Sequence, residues 1–140
     1  MVGIVILAHG NLANELLTTL KFITGGEGNV TAVAVDHNMD VAQARKIVKE
    51  AVRAADEGAG VLVATDLYGG TPSNLAISFQ SELKMEIIAG VNLPVLIKAV
   101  SLQKNSDLET MAKKLREYGR ENIILASDLL GSRKDDSEKS

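Results

Sequence analysis

His9 ends an almost unbroken apolar run, Met1-Val2-Gly3-Ile4-Val5-Ile6-Leu7-Ala8, and is followed at once by Gly10. A run with that β-branched content reads as a strand buried on both faces. Asn11 then opens a segment with Leu12, Leu16, Leu20 and Ile23 at helical spacing. His9 is therefore predicted where a buried strand hands over to a helix. In open α/β sheets the carboxyl ends of the strands are where ligands and chemistry are found. A titratable imidazole at that edge can serve as a nucleophile or as a proton carrier.

A second polar cluster, Thr65-Asp66-Leu67-Tyr68-Gly69-Gly70-Thr71-Pro72-Ser73-Asn74, follows another apolar run, Val61-Leu62-Val63-Ala64. Strands one and three of doubly wound sheets are commonly neighbours around the switch point, which would bring Asp66 close to His9. A carboxylate bonded to one ring nitrogen fixes the tautomer, leaves the other nitrogen unprotonated and steadies the cation once that nitrogen is substituted. Such general-base or orienting contributions are typically ~10²–10⁴-fold in rate. Gly69 and Gly70 have no Cβ to block approach to their amides and precede a helix start, where free N–H groups and the helix dipole favour phosphate. Thr71 and Ser73 add hydroxyl donors. The expected site is thus His9 and Asp66 as the reacting pair, with Gly69, Gly70, Thr71 and Ser73 around a phosphoryl group. A nucleophilic histidine facing an amide-rich anion pocket is what a transient phosphohistidine needs.

Taken singly, each cluster has a plainer reading. A strand-end histidine can be a packed or solvated residue, and Asp-x-x-Gly-Gly-Thr-Pro can be only a turn and a helix start. Their coincidence at two strand ends carries the argument. Gly25-Gly26-Glu27-Gly28 follows a helix rather than a strand and reads as a connection. His37 lies past another strand end, as a solvated loop residue or a lining of the cleft. The chain has no Walker lysine, no dinucleotide fingerprint and no Gly-x-Ser-x-Gly elbow. Two histidines without helical ligand spacing predict no zinc site.

The elements that must position these groups alternate along the chain. Val30 to Val35 reads as a second strand. Asp40 and Gln43 form a capping-box pattern ahead of a helix with Val41, Ala44, Val48, Ala51 and Ala55 on one face. Thr71 is expected as an N-cap with Pro72 at the first helical position. Met85 to Ala89 reads as a fourth strand, Asn92 and Pro94 start another helix, and Ser106 with Glu109 caps a further one carrying Leu108, Met111, Ala112 and Leu115. Asn122 to Leu125 is expected as a short last strand. The alternation predicts a doubly wound, mostly parallel open sheet with helices on both faces.

The 140 residues suit one domain with a proper core. A net charge of −3 with scattered Lys and Arg argues against a nucleic-acid surface. The absence of cysteine excludes disulfides, thiolate metal sites and thiol catalysis. The apolar start is too short for a membrane span and lacks the basic flank of a signal peptide, so a cytoplasmic protein is expected. Aromatic residues are only 3%, which leaves little for stacking-based recognition of sugars or bases.

Gly3-Ile4-Val5-Ile6-Leu7-Ala8-His9-Gly10 resembles the opening of the mannose-family IIA domains of the bacterial phosphoenolpyruvate-dependent sugar phosphotransferase system. Asp66 to Asn74 resembles that family's second motif, and Gly90-Val91-Asn92-Leu93-Pro94 its third. The resemblance runs in register from residue 1 to about 125. It implies that His9 accepts a phosphoryl group on Nε2 from phospho-HPr and passes it to a IIB subunit, with Asp66 orienting the ring. It places Thr71 near the phosphoryl site, where many relatives carry serine. It also implies a homodimer that exchanges a C-terminal strand, here around Asn122 to Leu125, and peripheral association with a membrane permease through its partners. On this reading 1–131 is the IIA domain and 132–140 a polar, disordered tail. Some relatives continue into a IIB domain, so a separate IIB polypeptide is expected here. No metal and no bound cofactor are called for, because phospho-HPr supplies the activated group. A related branch serves dihydroxyacetone kinase, but Gly70-Thr71-Pro72 fits the mannose type better.

The rival from another class is a regulatory module whose His9 phosphorylation state is read by a partner, without sugar transport. A hydrolase or isomerase using His9 and Asp66 as an acid–base pair lacks a second strong catalytic group beside them. An aspartyl-phosphate receiver lacks its acidic cluster, because Ala8-His9-Gly10 stands at the first strand end.

Overall fold

The computed structural model describes residues 1–36 and 38–131. Four strands, β1 (Gly3–His9), β2 (Val30–Val35), β3 (Val61–Thr65) and β4 (Met85–Ala89), form one sheet in the order β2-β1-β3-β4. All three pairings are parallel. Five helices connect and follow them: α1 (Leu12–Thr24), α2 (Val41–Ala55), α3 (Thr71–Ile77), α4 (Leu93–Leu102) and α5 (Leu108–Glu121). A sixth, short helix covers 126–131.

The near-continuous apolar character of β1 and β3 follows from burial on both sides. Ile4, Ile6, Ala8, Leu62 and Ala64 face one core with α1, α4 and α5. Val5, Leu7, Val61 and Val63 face the other with α2, α3 and Phe79. Successive residues alternate faces, so a strand covered on both must be apolar throughout. Each fully buried Val, Leu or Ile contributes roughly 1.5–3 kcal/mol, which is why the two central strands can carry a polar site at one end. At their opposite end the buried Gln103 ties the sheet to α4. Its side-chain N–H groups donate to the carbonyls of Val2 (2.8 Å) and Asn29 (2.9 Å). Its Oε1 accepts from the Asn29 N–H.

Several local expectations shift. Gly70, not Thr71, is the N-cap of α3, so Thr71 and Pro72 occupy the first two helical positions. Asp107, not Ser106, caps α5: its carboxylate accepts from the Thr110 N–H and hydroxyl, two bonds that the Ser106–Glu109 pairing does not provide. Asp40 is the N-cap of α2 but makes no side-chain capping bond. Asn92 caps α4 as expected, accepting from the Val95 N–H at 3.0 Å.

The expected last strand is not formed within the single chain. Asn122 closes α5, and 123–125 carry no regular structure, with Ile123, Ile124 and Leu125 exposed. A strand exists only as a pair, and this segment pairs with none of the four strands of its own chain. The tail 132–140 lies outside the described residues.

Candidate active site

The strand order places the two polar clusters side by side. β1 and β3 are neighbours, with Leu7 opposite Thr65, so His9, the last residue of β1, and Asp66, the first beyond β3, meet at the same end of the sheet. Asp66 Oδ2 accepts from the His9 main-chain N–H at 3.1 Å and lies 2.8 Å from His9 Nδ1. Asp66 Oδ1 accepts from the Leu67 N–H at 3.0 Å. The carboxylate is thus held by its own loop and presented to the ring. Its side chain is only 11% exposed, whereas the imidazole is 46% exposed.

Burial pushes the Asp66 carboxyl up. The bonds from the His9 ring, the His9 and Leu67 main-chain N–H groups, and attraction to a protonated ring outweigh it, and the net shift is below the usual 3.8. An ionised Asp66 has no proton to give, so Nδ1 is the donor and the neutral ring carries its free lone pair on Nε2. The sign of the linkage follows. A carboxyl whose folded value is depressed stabilises the fold fully above its unfolded value, and that contribution is lost as pH falls through the folded value. The stability gap between the wild type and Asp66→Asn should therefore be widest above pH 3.8 and should shrink in more acid solution. Thermal melts over a pH series measure it; a gap unchanged into acid would show that the pairing contributes no charge-dependent stability.

Nε2 faces the start of α3. A Cβ built on Gly70 would lie 2.6 Å from His9 Cε1 and 3.1 Å from Nε2. Only a glycine lets the backbone come this close, although Gly70 itself has an ordinary φ of −82°. The reason for Gly70 is therefore the ring, not a turn. Gly69 is the conformational glycine of the pair, with φ +88°.

Ser73 is placed differently from the sequence expectation. Its side chain is fully buried, and its hydroxyl donates to the Gly70 carbonyl at 3.0 Å. The Gly69 N–H in turn donates to Ser73 Oγ at 2.9 Å. Both groups are engaged inside the loop. Thr71 is exposed on the first turn of α3. His37 lies outside the described residues. Among the described residues no group of three or more His, Asp or Glu is arranged to hold a metal ion.

A family model described as the PTS system fructose IIA component matches residues 3–116. The chain belongs to the fructose/mannose family of phosphotransferase-system IIA components. It is 30% identical over 131 residues to the fructose-specific EIIA component of Bacillus subtilis (strain 168), covering 93% of this chain and 90% of that one. It is 27% identical over 124 residues to the mannose-specific EIIAB component of Escherichia coli (strain K12), covering 87% of this chain and 38% of that longer protein. Among solved structures, EIIA from Streptococcus agalactiae superposes with a TM-score of 0.83 at 28% identity, over 91% of this chain and 99% of that one. The four-stranded parallel sheet is thus that of this IIA family. No helix among the described residues is long and apolar enough to cross a membrane.

Proposed function

We propose that this IIA component is a phosphohistidine carrier, a cytoplasmic phosphotransferase that takes a phosphoryl group from phospho-HPr on His9 Nε2 and hands it to a separate IIB subunit. The observation that supports it most is the division of the ring: Nδ1 is held by the Asp66 carboxylate, while Nε2, on a half-exposed ring, faces the Gly70 backbone. The Nε2 lone pair attacks phosphorus as the bond from phosphorus to the donor's carrier atom breaks, and the electron pair of that bond leaves with the donor. The phosphorylated His9 ring is cationic, and the Asp66 carboxylate at Nδ1 offsets that charge. The same contact serves the reverse half of the cycle, when the IIB nucleophile attacks. The phosphoryl group lies against the Gly69–Gly70–Thr71 segment, with Ser73 shaping that segment from within.

Transfer between proteins needs an open site with surface to dock on. Leu12, Leu67 and Tyr68, at the openings of the two site loops, are all exposed. A chase experiment tests the carrier role. Phosphoryl label loaded from phospho-HPr should leave the isolated chain when a IIB subunit of the mannose family is added. Label that stays on the chain through the chase would contradict the carrier role.

We also propose a homodimer through the C-terminal segment. β4 is an edge strand, and a groove of 630 Å³ runs along it, lined in part by Ile87, Ala89, Val91 and Ile123. An unpaired edge beside exposed Ile123, Ile124 and Leu125 is an association liability in a lone chain. Pairing of 122–125 with the partner's β4 removes both. Deleting the residues after Gly119 should therefore destabilise the protein or yield a poorly soluble monomer. Deleting only 132–140 should change neither solution mass nor transfer. Sedimentation of the intact chain as a monomer at micromolar concentration would refute the exchange and leave the His9 chemistry standing.

A further inference from the structure

The Gly69–Gly70 segment that meets the imidazole is anchored from beneath by the first turn of α3. Gly69 donates its N–H to Ser73 Oγ, and its carbonyl accepts from Asn74 Nδ2 at 3.3 Å. The Gly70 carbonyl accepts both the Ser73 hydroxyl and the Asn74 N–H, each at 3.0 Å. A serine hydroxyl has one proton and free lone pairs, so it can accept and donate at once. Ser73 does both, bridging the amide on one side of the Gly69–Gly70 pair to the carbonyl on the other. Being fully buried, it reaches neither solvent nor a docking protein. The ring is held on two sides: Asp66 on Nδ1, and the Gly70 backbone against the Cε1–Nε2 edge. The second support is only as firm as the bridge beneath it.

We propose that Ser73 is a positioning residue of the phosphoryl-transfer site, acting on His9 through the Gly69–Gly70 backbone that it bridges. The kinetic part rests on the phosphocarrier reading; the geometric part does not. Without the bridge the segment moves relative to Nε2, and the surface against which the phosphoryl group sits moves with it. A merely structural Ser73 would affect the stability of α3 and nothing at the ring.

The test compares Ser73→Ala and Gly70→Ala with the wild type in two measurements: kcat and KM with phospho-HPr as donor, and the ring-nitrogen resonances of ¹⁵N-labelled His9. Misplacement by a fraction of an ångström should lower kcat roughly 10-fold. KM should stay unchanged, because a buried residue does not touch the donor. The ring signals should depart from the single Nδ1–H form of the wild type. Gly70→Ala disturbs the contact directly and calibrates the ring signals of a displaced imidazole; Ser73→Cys, which keeps the side-chain size but weakens both hydrogen bonds, takes the place of Ser73→Ala if the latter does not fold. A Ser73→Ala protein with lowered melting temperature but wild-type kcat and ring signals would overturn the proposal, as would a change in KM alone. If the wild type takes no phosphoryl group, the carrier reading falls, and the ring signals still decide the role of Ser73. Ring signals unaltered in the Ser73 variant overturn it, and signals shifted toward those of Gly70→Ala uphold it.

Discussion

A His9→Ala protein should keep its fold and lose phosphoryl uptake altogether. The imidazole is about half exposed at the end of β1, so little burial is lost with it. The main-chain N–H groups of residues 9 and 67 still satisfy Asp66, and the lost side-chain bond to the carboxylate is worth about 1.5–3 kcal/mol at most. The nucleophile, by contrast, is gone completely. His37→Ala should take up phosphoryl groups at the wild-type level. Acid-labile label on each variant after incubation with the HPr system is the measurement. Wild-type labelling of His9→Ala would remove His9 from the mechanism.

Asp66→Asn should fold and slow transfer by ~10²-fold or more, the scale of an orienting contribution. The carboxylate serves three donors with two oxygens: the His9 N–H, Nδ1 and the Leu67 N–H. A carboxamide has one oxygen for the three. If its NH₂ turns toward the ring, Nδ1 becomes an acceptor and the proton moves to Nε2, which blocks the lone pair that must attack. It also carries no negative charge to offset the phosphorylated ring. Rapid-quench transfer rates with phospho-HPr measure the loss. A wild-type rate would show that the 2.8 Å contact does not take part in the chemistry.

The pairing of His9 with Asp66 was legible because the two polar clusters follow the apolar runs of the first and third strands, which are commonly neighbours in doubly wound sheets. Runs apolar at every position belong to strands covered on both faces, and such strands lie centrally, hence side by side. Gly70 was legible as a glycine but not for its reason. The requirement for no Cβ comes from where the His9 ring lies, a contact across 61 positions that no local pattern encodes. Ser73 reads from its neighbourhood as one more donor at a helix start. Its burial was nevertheless available in the spacing, since Ser73 and Ala76, like Pro72 and Leu75, recur three residues apart on the inward face of α3. The capping of α5 slipped by one residue because Asp107 binds both the N–H and the hydroxyl of Thr110. Asn122 to Leu125 was the least legible segment. Its apolar character encodes a need to be covered, but not which sheet edge covers it, and within its own chain it pairs with none of the four strands.

The most direct measurement is to incubate the full chain with phosphoenolpyruvate, enzyme I and HPr, and to map the phosphoryl group by peptide mass spectrometry and ³¹P NMR under alkaline conditions. The account predicts one acid-labile group per chain, on Nε2 of His9, formed only when HPr is present. An acid-stable adduct, a group on Nδ1 or on another residue, or no uptake at all, would contradict it.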